Sequence, residues 1–125
     1  MKTILYIGLG GFLGAISRYE ISIFINKYNQ SQFPYSTLAV NILGSILIGF
    51  IMSWSVNISP IQNNIKLFLT TGCMGGLTTF STFSYETVVL FNEGNILLSI
   101  LSIFSNLFFS ILGVCVGMYI CRLIS

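Results

Sequence analysis

The 125 residues are 54% hydrophobic and only 6% charged, where a soluble domain carries roughly 25% charged residues. Five basic and three acidic side chains cannot clothe a water-facing surface, so lipid must solvate most of the exterior. The net charge of +2 is too small and scattered for a nucleic-acid surface, and the absence of His removes the commonest general base and metal ligand, so the composition does not point to an enzyme.

Four apolar runs follow in chain order, 4–25, 36–56, 65–91 and 96–121. Each reaches the length of about 20 residues that crosses a hydrocarbon core of about 30 Å. The stretches between them hold Asn, Gln, Ser, Pro34, Pro60 and Gly94, which are turn formers. A β-barrel would instead show short alternating segments. The expectation is a single all-α domain of four transmembrane helices over residues 1–125.

The first run lacks a small-residue cleavage site and reads as a span, not a removable leader. Its Gly10 and Gly14 suit close helix packing. Four spans place Lys2, Lys66 and Arg122 on one side of the membrane and Lys27, with Arg18 near it, on the other. Three against two is almost no bias, and orientation follows such a bias. A chain without one inserts both ways, which opens the route to an antiparallel homodimer. Cys73, Cys115 and Cys121 form no close pair in sequence and are expected to be small buried hydrophobes.

Polar groups inside spans are costly, so each needs a partner or a function. In the second run Thr37, Asn41 and Ser45 share one helical face, and in the fourth Ser99, Ser102, Asn106, Ser110, Gly113 and Gly117 form one stripe. The third run carries Thr78, Thr79, Ser81, Thr82, Ser84, Tyr85 and Glu86 in a short stretch. Helix–helix adhesion explains the glycines; Asn41 and the third-run cluster point further, to function. The segment from Gly72 to Thr79 lies near mid-membrane and is rich in Gly and β-branched residues, so it is expected to unwind. Freed carbonyls then bind a cation, or the segment is a kink satisfied by the Thr78 and Thr79 hydroxyls.

Asn41 offers two amide donors and each Ser or Thr hydroxyl one, which is what a hard anion leaving water requires. Phe80 and Phe83 lie three residues apart on one face. Either they present ring edges, which are positive and attract an anion without trapping it, or they are lipid-facing bulk. Arg18 either draws anions to a vestibule or pairs with Glu20 or Glu86. Glu20 lies roughly 24 Å along the helix from Ile4, so the middle of the first span holds no carboxylate of the kind proton-coupled exporters need. A coupled transporter and a non-conducting assembly subunit are the competing classes.

Three runs carry a resemblance: Gly10-Gly11-Phe12-Leu13-Gly14-Ala15-Ile16-Ser17-Arg18-Tyr19, Thr37-Leu38-Ala39-Val40-Asn41-Ile42-Leu43-Gly44-Ser45, and Gly72-Cys73-Met74-Gly75-Gly76-Leu77-Thr78-Thr79-Phe80-Ser81-Thr82-Phe83-Ser84. Together they resemble the CrcB/Fluc fluoride channels over the whole chain. The resemblance implies a passive, fluoride-selective channel that exports fluoride and lowers its toxicity. It implies a dual-topology antiparallel homodimer in the bacterial inner membrane, with two pores; the break in the third helix is the one expected from the segment Gly72 to Thr79. The same resemblance implies a structural sodium ion at the dimer axis, held by the carbonyls of Gly75 and Thr78. Phe80 and Phe83 would line the pores and Asn41 would organise them. Ser81, Ser84, Thr37 and Ser110 would supply polar lining, with Arg18 and Glu86 on the vestibule side. Fluoride, lipid and a second copy of the chain are the implied partners; nucleic acid is not.

Overall fold

A computed structural model describes all residues, 1–125, and is wholly helical, without strands. Helix α1 (Lys2–Tyr28) and helix α2 (Tyr35–Asn57) are followed by a composite run. That run consists of α3 (Asn63–Leu67), a π-helical stretch (Phe68–Met74) and α4 (Gly75–Leu77). Helices α5 (Phe80–Asn92) and α6 (Ile96–Ile124) complete the chain. The apolar runs 4–25, 36–56 and 96–121 each fall inside one helix, whereas 65–91 is divided among several.

The turns use the side chains expected of them. Asn29 closes the α1–α2 connection: its Oδ1 accepts from the Ser31 amide and hydroxyl, and its Nδ2 donates to the Phe33 carbonyl at 2.9 Å, a local alternative to helix bonding. Pro34 then sits at the N-cap of α2, where its missing N–H costs nothing. Gly94, at φ 82°, turns the chain from α5 into α6. Asn95 Nδ2 donates to Gln32 Oε1 at 2.8 Å, tying this turn to the α1–α2 connection.

Burial is inverted relative to a water-soluble protein. Only 22 of the 125 residues are buried, and they include Ser36, Thr37, Ser53, Thr79, Thr87, Ser99, Ser102 and Asn106, while most Leu, Ile and Phe side chains face outward. Two helices, α2 and α6, are long and apolar enough to cross a membrane on length and composition alone. Glycines, Arg18 and Glu20 dilute the apolar character of α1, and the third run is divided so that α5 spans only 13 residues. Of the three cysteines only Cys121 is buried; Cys73 is partly so and Cys115 is exposed, because Cys115 falls on the outward face of α6.

Two helix pairs organise the bundle. Helix α2 packs most extensively on α6, and α1 on the π-helical stretch. A Cβ at Gly14 would strike the Cys73 carbonyl and one at Gly117 the Ile46 carbonyl, so backbone meets backbone at both crossings. In lipid such contacts gain from close packing and hydrogen bonding, since apolar side chains have no water to escape.

Candidate functional site

The π-helical stretch ends at Met74, and Thr78 closes the composite run by donating both its amide (2.9 Å) and its hydroxyl (2.8 Å) to the Met74 carbonyl. Thr78 (φ −82°, ψ 157°) and Thr79 (φ −151°, ψ 116°) are extended, a region that β-branched residues favour. The Thr79 hydroxyl then caps α5, accepting from the Thr82 amide at 3.1 Å, the usual office of a threonine N-cap.

Extended residues inside a helical bundle need outside partners for their peptide groups. Asn41 supplies them from α2. Its Oδ1 accepts from the Thr79 amide at 2.8 Å, and its Nδ2 donates to the Thr79 carbonyl at 3.2 Å. The same Nδ2 donates to Asn106 Oδ1 at 2.9 Å, and Asn106 Nδ2 donates back to the Ser102 carbonyl at 3.0 Å. Both amide hydrogens of Asn41 are therefore engaged within the chain. Arg18 reaches from α1 to the Thr78 carbonyl at 3.4 Å; it bonds neither Glu20 nor Glu86. The Gly75 carbonyl has lost its usual helical donor, the Thr79 amide, to Asn41 and takes no main-chain bond.

These groups border a cleft of about 380 Å³ between α2, the composite run, α5 and α6. It brings together Asn41, Gly75, Thr78, Phe80, Phe83 and Ser110 from the sequence reading, and adds Thr79, Asn106 and Thr70. The two phenyl rings meet edge to face, with centroids 5.4 Å apart and planes at 64°. Phe83 is 6% exposed, whereas Phe80 is 74% exposed and projects out of the chain. The cleft is mixed in character, apolar rings beside hydroxyl, amide and carbonyl groups, and has no cluster of acidic, His or Cys side chains for a metal. Such a lining can solvate an ion through dipoles; it holds no nucleophile–base pair.

Five of the sequence-derived residues, Arg18, Thr37, Ser81, Ser84 and Glu86, lie outside the cleft. Ser81 contacts the Thr79 hydroxyl at 3.4 Å, and the half-buried Ser84 donates to the Phe80 carbonyl at 2.8 Å. Thr37 is buried and donates to Glu86 Oε1 at 2.9 Å, while Glu86 Oε2 is buried without a partner. Glu86 also borders a second cleft of about 420 Å³ beside the α1–α2 connection, together with Asn26, Asn29, Gln32 and Glu93. Arg18 lies behind the extended pair. Among the residues the sequence reading left out of the site, Asn106 is the most consequential. Its signal was visible as the one amide in the fourth-run stripe, four residues from Ser102 and from Ser110.

The chain matches a family model described as CrcB-like protein, Camphor Resistance, over residues 5–118. A Clostridium perfringens protein named fluoride-specific ion channel FluC is 57% identical over 120 residues, covering 96% of this chain and 94% of the relative. Proteins of the same name are 45% identical in Ruminiclostridium cellulolyticum, covering 100% and 96%, and 41% identical in Flavobacterium psychrophilum, covering 98% of each.

Proposed function

The chain belongs to the CrcB-like family, whose relatives above are named as ion channels and not as enzymes, and from that premise we propose that it is a passive fluoride-selective channel. It works in the bacterial inner membrane as a four-span, dual-topology antiparallel homodimer with two pores, exporting fluoride and so lowering its toxicity. The observation that carries this reading is the cleft in which Phe80 and Phe83 converge beside Ser110 and the Asn41-held backbone. The chain leaves Phe80 about three-quarters exposed, so a second copy is needed to complete a wall around an ion. Ring edges carry partial positive charge. They attract fluoride while letting it leave, which conduction requires. Asn41 contributes by fixing the Thr79 peptide from which the ring-bearing helix starts. Thr37 orients Glu86 through its hydroxyl, Ser81 and Ser84 add polar groups beside Phe80, and Arg18 places its charge at the Thr78 carbonyl.

The Gly75 and Thr78 carbonyls fit a structural sodium ion. The first takes no main-chain bond and the second only the long Arg18 contact, and hard monovalent cations take carbonyl oxygens. A sodium ion bound there would neutralise these dipoles and join two copies at the dimer axis. Gly75 and Thr78 hold; the ion is not transported.

Fluoride and chloride efflux from liposomes, measured with a potassium shunt, tests the function. Fluoride efflux far above chloride efflux, without a proton gradient, is expected. Comparable rates for both ions, or a demand for a proton gradient, overturns it.

A further inference from the structure

We infer that Asn106 is a positioning residue that holds the amide of Asn41, and through it the Thr79 peptide, against α6. Its place in transport rests on the fluoride-channel reading above; its place in the network does not. The argument starts from which end of each amide faces which partner. Thr79 offers an N–H, which only an oxygen can accept, so Asn41 Oδ1 faces Thr79. Asn41 Nδ2 then spends one hydrogen on the Thr79 carbonyl and must spend the other on an acceptor. Asn106 Oδ1 is that acceptor at 2.9 Å.

Asn106 is itself held in this sense. Its Nδ2 donates to the Ser102 carbonyl one turn earlier on α6. Flipping the amide would set nitrogen against nitrogen at Asn41 and oxygen against oxygen at Ser102. Both faults would fall on a side chain that is 4% exposed, where no water repairs them. A serine or threonine is too short to span the same two partners, and an aliphatic residue offers neither. The pair therefore links α2, the extended residues and α6 at one point. Below it on α6, Ser102 and Ser99 reach Thr87, whose hydroxyl donates to the Phe83 carbonyl at 2.8 Å. One face of α6 thus governs both the start of α5 and the carbonyl of its buried ring residue.

The test uses the full chain in lipid, with Asn106→Leu, which removes donor and acceptor at similar volume, and Asn106→Asp, whose neutral carboxyl keeps an oxygen toward Asn41 and a hydroxyl toward the Ser102 carbonyl. Amide hydrogen exchange at Thr79 is read by NMR beside amides of α2 and α6, with fluoride efflux measured in parallel. In Asn106→Leu, exchange at Thr79 should rise by roughly tenfold or more, the effect of leaving one buried donor unmatched. Amides at Val40 and Gly113 should stay protected, and fluoride efflux should fall. Asn106→Asp should keep most of the Thr79 protection. Unchanged Thr79 exchange in folded Asn106→Leu overturns the inference, as does protection lost equally throughout α2 and α6 in both variants. A wild-type protein that carries no fluoride would overturn the channel reading alone, since Thr79 exchange still decides the role of Asn106.

Discussion

Asn41 spends both amide hydrogens and its oxygen inside the chain, so its substitution disturbs backbone before it disturbs any ion. Asn41→Asp keeps the shape but loses both donors, and sets an oxygen against the Thr79 carbonyl and Asn106 Oδ1. Fluoride efflux should fall by about 100-fold or more, and unfolding should be easier by roughly 1–3 kcal/mol for the unmatched buried groups. Efflux assays and denaturation of the purified variant check this; wild-type flux would reduce the side chain to packing. The ring pair allows a second test. Phe80→Ile and Phe83→Ile retain apolar volume and lose the quadrupole, so flux should drop in both if ring edges matter. Full flux in both variants would return the rings to bulk. The sequence reading singled out Asn41 and both rings because polar and aromatic residues stand out in an apolar span, and the structure sets all three on one cleft. It did not identify their partners. Nothing in residue spacing says that position 41 meets position 79 on one side and position 106 on the other.

At the scale of helices, glycine and threonine divide the third run differently from the sequence expectation. Gly72 and Gly76 do not supply the extended backbone; they meet the α1 backbone at Gly10 and Gly11. The extended residues are Thr78 and Thr79, whose branched Cβ suits that region and whose hydroxyls serve both helix ends. Close approach is the glycine function here, and it predicts a contrast within α1. Gly14→Ala places a Cβ on the Cys73 carbonyl, whereas a Cβ at Gly8 meets nothing. Gly14→Ala should lower stability by about 1–3 kcal/mol, the usual cost of overpacking, and Gly8→Ala should change it little. Thermal unfolding in detergent, followed by helical signal, measures both. Equal stability of the two variants would mean that α1 can slide on the third run without cost. Gly10 and Gly14 were readable as packing positions from sequence because their spacing of four is local; the partner helix was not.

For the molecule as a whole, the apolar exterior and polar interior suit a bilayer, and the near-equal distribution of basic residues suits insertion in both directions. A single Cys introduced at position 2 of a variant lacking the three native cysteines should react with an impermeant reagent from both faces of the cell membrane. Reaction from one face only would contradict dual topology. Sodium binding at the Gly75 and Thr78 carbonyls predicts a thermal midpoint that rises with sodium concentration, as mass action requires for a ligand of the folded state. Fluoride efflux should meanwhile need no sodium gradient. A midpoint indifferent to sodium, at constant ionic strength, would remove the cation from the proposal.

Composition and local spacing determined that the protein is helical and apolar outside, which side chains are too polar to lie idle in it, and where its turns fall. Those properties follow from helix periodicity and the cost of burying polar groups, which act within a few residues. Only the tertiary structure decided that Asn41 clasps Thr79, that Asn106 backs Asn41, and that Arg18 turns to the Thr78 carbonyl. The reason is physical: each of these bonds joins residues 38 or more positions apart, and helix crossings set by backbone contact at glycines determine which distant faces meet.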